Sequence, residues 1–514
     1  MKEQLQNLMF VLALGASVAI VAKRVNLPYN VALVVIGLLA VLIDIFPHLS
    51  MNAELVLLVF LPMLVFEAAI SANARALRRA ATPIVALALP GVAMSLIGTA
   101  VVAKAVLGFT FAEALLLGSL LAITDTVSVL LAFRSVRAPH RLTVIMEGES
   151  LFNDGTALVL VSLTSAAFAT GTFDAIAASR NLVVSIFGGV AVGAAFGAVG
   201  GLVLRRTPDH LTAIFSTLVL VFATSLGAEH LHASPVIAVV VTGLAIGGAA
   251  RRFLEPSNVL ALQGFWETIG FSLNVLLFLM VGMQTQASML IDNAGPIALT
   301  LVALHAGRAV AVYGCFLVLR FFTKEEIPFR WQHVMVFGNI KGALSMAAVL
   351  ALPASMPDKP RLMTIVFGVT FVTLVMQGLP FRRFLQALGI DAGAGNQRQE
   401  SARASLVSAR RGLLELDALL GAGLVSRADH AERRAEFQRT VIVAERALRE
   451  EGTGATEGPV RRVAEMTLLE AQKAALLDGA RRGLYSGHTA EEQVALIDRK
   501  LFAFRNSDTE TEEG

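Results

Sequence analysis

Long apolar segments recur along most of the chain, and they restrict its fold more than any other sequence feature. A membrane-spanning helix needs about 20 apolar residues, because the hydrocarbon core is about 30 Å thick and each helical residue rises about 1.5 Å. Thirteen such windows lie at residues 8–22, 28–46, 52–70, 83–106, 111–133, 142–168, 181–204, 211–228, 234–250, 268–288, 295–319, 331–353 and 362–381. The sequence therefore predicts an all-α polytopic membrane protein with about 13 transmembrane helices.

Charged residues divide the chain into an apolar part and a soluble tail. They make up 16% of the 514 residues, whereas an ordinary soluble domain has about 25%. Residues 384–514 hold 18 Lys and Arg and 21 Asp and Glu, which leaves 24 basic and 18 acidic residues for the first 383. This distribution excludes an ordinary cytosolic enzyme. Nucleic acid is not an expected partner either. The formal charge of +3 is the sum over a basic apolar part and an acidic tail, so it does not indicate a basic binding surface.

The tail is predicted to be a helical domain of its own. We assign residues 1–385 to the membrane domain, 386–400 to a linker, 401–506 to a cytoplasmic helical domain and 507–514 to a disordered terminus. Apolar residues at helical spacing, such as Leu413, Leu416 and Leu420, favour a small helical bundle. We expect this bundle to regulate the membrane domain or to stabilise a dimer.

Lysine and arginine residues orient the predicted spans, because cytoplasmic loops carry an excess of them. With thirteen spans, alternate connections hold 17 of these residues, against 5 on the opposite side. This asymmetry predicts an external N-terminus and a cytoplasmic tail. No organelle signal is recognisable, and the short loops favour a bacterial plasma membrane, that is, an inner membrane.

Two predicted spans are interrupted by polar residues at equivalent positions. Thirteen spans permit two inverted six-span repeats, spans 1–6 and 8–13, joined by span 7. Such repeats typically place interrupted helices in both halves and bind the substrate between them. Span 5 is interrupted at Thr124 and Asp125, and span 12 at residues 338–342, GNIKG. We therefore expect two interrupted helices to cross at the centre of the membrane domain.

Ionisable residues inside the spans mark a candidate site, because a charge at mid-bilayer costs about 2.5–3.5 kcal/mol. The candidates among them are Glu67, Asp125, Glu147, Glu149, Asp154, Arg308 and Lys341. On span 6, Glu147, Ser150 and Asp154 share one helical face, and Glu149 and Asn153 share an adjacent one. A desolvated carboxylate beside an aqueous path holds either a proton or an alkali cation. Hydroxyl groups and the carbonyl oxygens of an unwound helix would complete the coordination of that cation.

The same residues form motifs that can be compared with known families. The most specific is residues 147–154, EGESLFND; further motifs are Thr124 with Asp125, residues 64–69 (LVFEAA), residues 265–267 (FWE), Asn274, Gly282, Arg308 and residues 342–345 (GALS). In these motifs, and over roughly residues 8–383, the sequence resembles the cation:proton antiporter superfamily, in its sodium/proton exchanger branch. The resemblance implies a homodimer in membrane lipid, with a dimerisation domain and a mobile core domain.

The resemblance also implies a function. It is that of a secondary antiporter, without enzymatic chemistry and without a cofactor. Such a protein exchanges Na⁺, or Li⁺ or K⁺, for H⁺ by alternating access and contributes to pH and sodium homeostasis. Exchange is expected to be electroneutral, because Asn153 precedes Asp154 where electrogenic relatives have two adjacent aspartates.

Residue roles follow from the resemblance position by position. Asp154 is implied to exchange the proton and, with Ser150 and the backbone around Thr124, to bind Na⁺, with Asp125 close by. Asn153 is implied to orient the unwound part of span 5, and Glu149 to pair with a basic residue of the second half. The family usually has arginine where this chain has Lys341, so either Arg308 or Lys341 is a candidate partner for Glu149.

Several alternatives stay open at this point. Asp154 is alternatively neutralised by a fixed partner, and Asp125 alternatively accepts hydrogen bonds without touching the ion. For Glu149 a static ion pair is favoured over ion binding. Glu67 is either a solvated helix end or part of a cytoplasmic cation funnel. For the function, the alternatives are a K⁺/H⁺ exchanger and, from another class, an ion channel or a transporter-like sensor.

Overall fold

The computed structural model describes most of the chain and divides it into two units, Met1–Ala392 and Gly393–Gly514. It describes residues 2–510 except residues 25–26, 43–52, 137, 171–173, 208, 286, 324–326, 354–355, 357, 391–393, 451–467, 479 and 481–485. Throughout the described residues the regular structure is helical, without strands. The prediction of an all-α protein is confirmed.

The first unit is a succession of apolar helices. They are α1 (Lys2–Arg24), α2 (Tyr29–Leu42), α3 (Ala53–Ser71), α4 (Ala74–Arg79), α5 (Ala81–Leu107), α6 (Phe111–Leu120), α7 (Thr126–Val136), α8 (His140–Thr170), α9 (Ala175–Arg206), α10 (His210–His230), α11 (Pro235–Phe253), α12 (Pro256–Gln284), α13 (Ala287–Asp292), α14 (Ala294–Phe322), α15 (Phe329–Phe337), α16 (Ala343–Leu350), α17 (Lys359–Gly378) and α18 (Phe381–Ala387). Single π-helical turns occur in α3 at Val56–Phe60 and in α5 at Leu87–Gly91.

Nine helices in the described part of the chain are long and apolar enough to cross a membrane: α3, α5, α8, α9, α10, α11, α12, α14 and α17. Shorter apolar helices lie at Ala13–Ala22 within α1, at α2 and at α6. The predicted windows 111–133 and 331–353 each contain two helices with a non-helical segment between them. Every predicted window thus overlaps helix, although the count of thirteen stays a prediction.

Helix starts follow local capping chemistry. The Thr110 side chain accepts the backbone N–H of Glu113, and the Glu113 side chain accepts that of Thr110, which closes a capping box at α6. Ser234 caps α11, with Pro235 as its first residue. Pro256 likewise opens α12, twelve residues before the predicted window at 268–288. This boundary was missed because the segment from 256 to 267 mixes polar and apolar residues, whereas proline at a first helical position sets the start.

Close packing of α5 against α14 positions the buried basic residue of α14. A Cβ atom on Gly307 would lie 2.7 Å from the carbonyl oxygen of Ser95 and 2.7 Å from the backbone nitrogen of Thr99. These separations are shorter than real Cβ contacts, so the two backbones meet this closely because residue 307 is glycine, as is its neighbour Gly98. The next residue, Arg308, is consequently buried, with 3% of its surface exposed.

The second unit consists of helices α19 (Ala394–Gly421), α20 (Arg427–Glu450), α21 (residues 468–478) and α22 (Gly487–Glu510). Ion pairs between Arg410 and Glu445 (2.7 Å) and between Asp417 and Arg434 (2.9 Å) show that α19 and α20 are antiparallel. Helix α19 begins inside the predicted linker, and α22 extends to Glu510, into the predicted disordered terminus. The end of that terminus, residues 511–514, lies outside the described residues.

Candidate ion-binding site

The two interrupted spans cross and are hydrogen-bonded at their breaks. Residues 121–125 separate α6 from α7, and residues 338–342 separate α15 from α16. The backbone N–H of Asp125 donates to the carbonyl oxygen of Ile340 at 2.8 Å. The Ser345 hydroxyl donates to the carbonyl oxygen of Ile123 at 3.4 Å. Backbone groups freed by the two breaks therefore partly satisfy each other within the protein.

A glycine permits this close crossing. A Cβ atom on Gly342 would lie 2.9 Å from the Cβ atom of Asp125, closer than real Cβ atoms approach. The last glycine of the GNIKG segment is thus required for the contact, in addition to ending the helical pattern.

Asp125 also begins the second half of its own span. One carboxylate oxygen accepts the backbone N–H of Val127 at 3.2 Å, and the other accepts the hydroxyl hydrogen of Ser128. This is the geometry of a helix N-cap, which satisfies a donor at the start of α7. Both carboxylate oxygens of Asp125 therefore accept hydrogen bonds at the interruption, and whether the residue also contacts the ion stays a prediction.

One face of α8 borders a cavity of about 560 Å³. Asp154, Ser150, Thr124 and Asp125, the four residues predicted to bind the ion, all line it. The Oδ1 atom of Asp154 is buried and has no hydrogen-bond partner among the described residues. A buried carboxylate oxygen without a partner is strongly destabilised. A proton or a cation would remove this penalty, so the residues fit a competition between the two.

Further carboxylates line the same cavity: Glu67, Glu147 and Glu267. Glu67 lies in the last turns of α3, whereas Glu147 and Glu267 lie in the first halves of α8 and α12. These helix ends adjoin the arginine-rich connections, so the cavity reaches toward the predicted cytoplasmic side. Acidic walls raise the local concentration of cations. Glu67 lines this cavity together with Glu147 and Glu267, and its role as a funnel residue stays a prediction.

An ion pair occupies the adjacent face of α8. Arg308 donates to both carboxylate oxygens of Glu149, at 2.9 and 3.1 Å, and its Nε donates to the carbonyl oxygen of Met335 at 3.1 Å. Both side chains are buried. Of the two basic residues considered from sequence, Arg308 is the one that meets Glu149, in the bidentate geometry available to a guanidinium.

Lys341 lies in the second interruption and is 1% exposed. Its Nζ donates to Oδ1 of Asn339 at 2.7 Å, and its backbone N–H donates to the Thr373 hydroxyl oxygen at 3.1 Å. Within the described residues it makes no salt bridge with a carboxylate. The lysine therefore holds its own non-helical segment in place.

Asn153 connects α8 to the first interruption. Its Nδ2 donates to the carbonyl oxygen of Ala122 at 3.0 Å and to the hydroxyl oxygen of Thr124 at 2.9 Å. The amide thereby holds the unwound segment of span 5 against the helix that carries Asp154.

Sequence reasoning missed two polar residues beside the site. Asn30 and Ser128 are buried and hydrogen-bonded to each other. Asn30 precedes the apolar residues 31–42, and Ser128 follows the polar residues 124–126 by one position. A single amide or hydroxyl at such a position produces no periodic signal, so only the structure reveals this contact.

The donor set favours a hard cation over a transition metal. The cavity presents carboxylate and hydroxyl oxygens, which suit hard ions. In the portion of the chain that the structure describes, no three His, Cys, Asp or Glu side chains form a group able to hold a metal ion.

Comparisons with known proteins place the chain in a family. A family model described as the transmembrane sodium/hydrogen exchanger matches residues 10–387. The chain is 35% identical to the Na⁺/H⁺ antiporter NhaS2 of Synechocystis, over 98% of this chain and 94% of that protein. It is 34% identical to the Na⁺/H⁺ antiporter ApNhaP of Aphanothece halophytica, over 80% of each chain. Its fold resembles the sodium proton antiporter MjNhaP1 of Methanocaldococcus jannaschii, with a TM-score of 0.65 and 18% identity over 75% of this chain and 97% of that one.

Proposed function

The chain belongs to the sodium/hydrogen exchanger family, and from that premise we propose that it exchanges Na⁺ for H⁺ at Asp154 by alternating access. The family consists of transporters of monovalent cations and protons. The observation that carries the assignment to this residue is the unpartnered, buried oxygen of Asp154 in a cavity that Ser150, Thr124 and Asp125 also line.

Competition for one carboxylate couples the two fluxes. When Asp154 is ionised, its oxygens and the nearby oxygens of Ser150 and Thr124 offer ligands to Na⁺. When it is protonated, the same group is neutral and no longer attracts the cation. Each passage across the membrane then carries either Na⁺ or H⁺, and exchange follows without a further energy source. Glu67, Glu147 and Glu267 attract cations to the cytoplasmic mouth.

We propose one proton per Na⁺, hence electroneutral exchange. Glu149 is committed to Arg308, and position 153 is an amide that does not titrate. Asp125 caps α7 with both oxygens. Glu147 is assigned to the cytoplasmic mouth, so Asp154 is left as the exchanging carboxylate of α8. Clamping the membrane potential of proteoliposomes with K⁺ and valinomycin should leave the rate of Na⁺/H⁺ exchange unchanged, and acceleration by an imposed potential would contradict this stoichiometry.

A cation series tests the proposed function. Proteoliposomes containing a pH-sensitive dye are acidified inside and then receive Na⁺, Li⁺, K⁺ or choline, at acidic, neutral and alkaline pH. We expect Na⁺ to dissipate the proton gradient and choline not to. A response to K⁺ alone would replace the proposal by K⁺/H⁺ exchange. Cation currents without an opposing proton gradient would indicate a channel, and absence of all flux would indicate a sensor.

The setting of this activity is proposed from the same features. The arginine-rich connections support an external N-terminus and a cytoplasmic tail in a bacterial plasma membrane. Large exposed apolar side chains on α9 and α10, such as Phe187 and Phe215, support contact with lipid and with a second copy in a homodimer. A role in pH and sodium homeostasis follows from the exchange itself.

A further inference from the structure

A buried hydrogen-bond chain links helix α2 to the crossing. The Nδ2 of Asn30 donates to the hydroxyl oxygen of Ser128, and the Ser128 hydroxyl donates to a carboxylate oxygen of Asp125. Asn30 is completely buried, and Ser128 is 5% exposed. The chain starts in the first half of α2, outside the interrupted spans and outside α8, and it ends on a residue that lines the cavity.

This arrangement is unfavourable for stability alone. The Oδ1 atom of Asn30 is buried and has no hydrogen-bond partner among the described residues. Its helical neighbours Val31, Leu33 and Val34 are buried and apolar. A leucine at this position would have the same number and branching of side-chain heavy atoms and would leave no acceptor unpaired. The amide therefore requires a reason other than packing, and its bonded Nδ2 supplies one.

We propose that Asn30 is a positioning residue for Asp125. By donating to the oxygen of Ser128, the amide directs the hydroxyl hydrogen of Ser128 at the carboxylate. This contact and the N–H of Val127 then fix both oxygens of Asp125 at the cavity wall. Helix α2 thereby contributes to the affinity of the site for the cation. The inference rests on the proposed function, because its readout is Na⁺-dependent proton exchange.

Substitution of the amide tests the inference by opposite effects on affinity and stability. Asn30→Leu should raise the apparent KM for Na⁺ about tenfold and leave the maximal rate within about twofold, because the carboxylate loses its fixed orientation. Its melting temperature should equal or exceed that of the original protein. Ser128→Ala should raise KM by a similar factor, and Ser128→Thr, which keeps the hydroxyl, should restore it. The double variant Asn30→Leu/Ser128→Ala should have a KM no higher than that of the more strongly affected single variant, because the two residues act through one contact.

The matched control is Ser119→Ala. Ser119 is another fully buried serine of the interrupted span, bonded to the carbonyl oxygen of Leu116 and to Thr164, both at 2.8 Å, and it does not line the cavity. We expect a lower melting temperature and an unchanged KM. An unchanged KM in Asn30→Leu, or an equal rise in Ser119→Ala, would overturn the inference. If Asn30→Leu does not fold, equal KM values in Ser128→Ala and Ser128→Thr would overturn it. Absence of exchange by the unsubstituted protein would instead overturn the proposed function.

Discussion

The cavity-facing and core-facing sides of α8 carry the same chemical group in different surroundings. Asp154 and Glu149 lie five positions apart on one helix, and each has a buried carboxylate oxygen. Both oxygens of Glu149 accept hydrogen bonds from Arg308, whereas Oδ1 of Asp154 meets no donor among the described residues. Burial alone therefore does not decide what a carboxylate does; its partner and its access to an aqueous cavity do.

The two sides also depend on each other. Asn153 and Glu149 occupy the core-facing side, where the amide holds the unwound segment at Thr124 and the carboxylate holds α14. These fixed contacts hold the core-facing side in place, whereas the proposed binding and release of an ion occurs on the opposite side. Substitutions on the two sides should consequently differ in their main effect, which falls on transport for the cavity-facing side and on folding stability for the core-facing side.

The largest expected effect on transport is that of Asp154→Asn. The amide keeps the shape of the carboxylate but exchanges no proton, so Na⁺-dependent dye dequenching should fall to that of protein-free vesicles. Its melting temperature in detergent should be unchanged or higher, because an unpaired charge is removed. Asp209→Asn, the same change at a helix N-terminus away from the cavity, is the control and should retain exchange. Retained exchange in Asp154→Asn would remove this residue from its role.

The largest expected effect on stability is that of breaking the ion pair. Arg308→Met or Glu149→Leu alone leaves a buried charge without its partner and should destabilise the protein by about 3–5 kcal/mol. The double variant should recover most of this loss, because no charge remains unpaired. Thermal unfolding measures the cycle. If the double variant loses as much stability as the two single variants together, Arg308 and Glu149 act as two independent groups.

On the core-facing side, Asn153→Leu should have an intermediate effect on both measurements. Loss of the amide leaves the carbonyl oxygen of Ala122 without this donor, which costs about 1–3 kcal/mol. The freed segment should also hold Thr124 less firmly, so the apparent KM for Na⁺ should rise. Melting curves and the Na⁺ dependence of exchange test this together. A change in the melting temperature with an unchanged KM would confine Asn153 to a structural role.

The sequence predicts which residues lie on each side of α8, but not which residues of other helices they contact. Helical spacing placed Ser150 and Asp154 on one face and Glu149 and Asn153 on another, because the period of an α-helix is fixed. Polar segments inside apolar windows indicated both interruptions, because polar groups in the hydrocarbon core need hydrogen-bond partners within the protein. The partner of Glu149 depended on distances between separate spans, which sequence does not contain.

The same limit explains the contact of α2. Asn30 reaches Ser128 across the fold, and the apolar residues 31–42 that follow it gave only a hydrophobic signal. Gly342 is an intermediate case. Its presence in the GNIKG segment predicted a helix break, but its closeness to Asp125 could be found only from the crossing itself.

The smallest expected effect concerns a third kind of carboxylate, outside both sides of α8. Asp209 accepts the backbone N–H of Thr212 at 2.9 Å at the start of α10, and this hydrogen bond holds the pKa of Asp209 below its usual value. Because the pKa is lower in the folded state, the stabilisation is present at neutral pH and is lost as the pH falls through that lowered pKa.

Asp209→Ala should therefore lower the melting temperature slightly at neutral pH, by a margin that shrinks in acid, with exchange unchanged. Asp209→Asn keeps an acceptor at the cap and should remove the pH dependence of this small difference. Melting curves over a pH series measure both. Asp209 neither lines the cavity nor supports the crossing of the interrupted spans. A loss of exchange in Asp209→Ala would therefore contradict the division of carboxylates into those that act in transport and those that stabilise the fold.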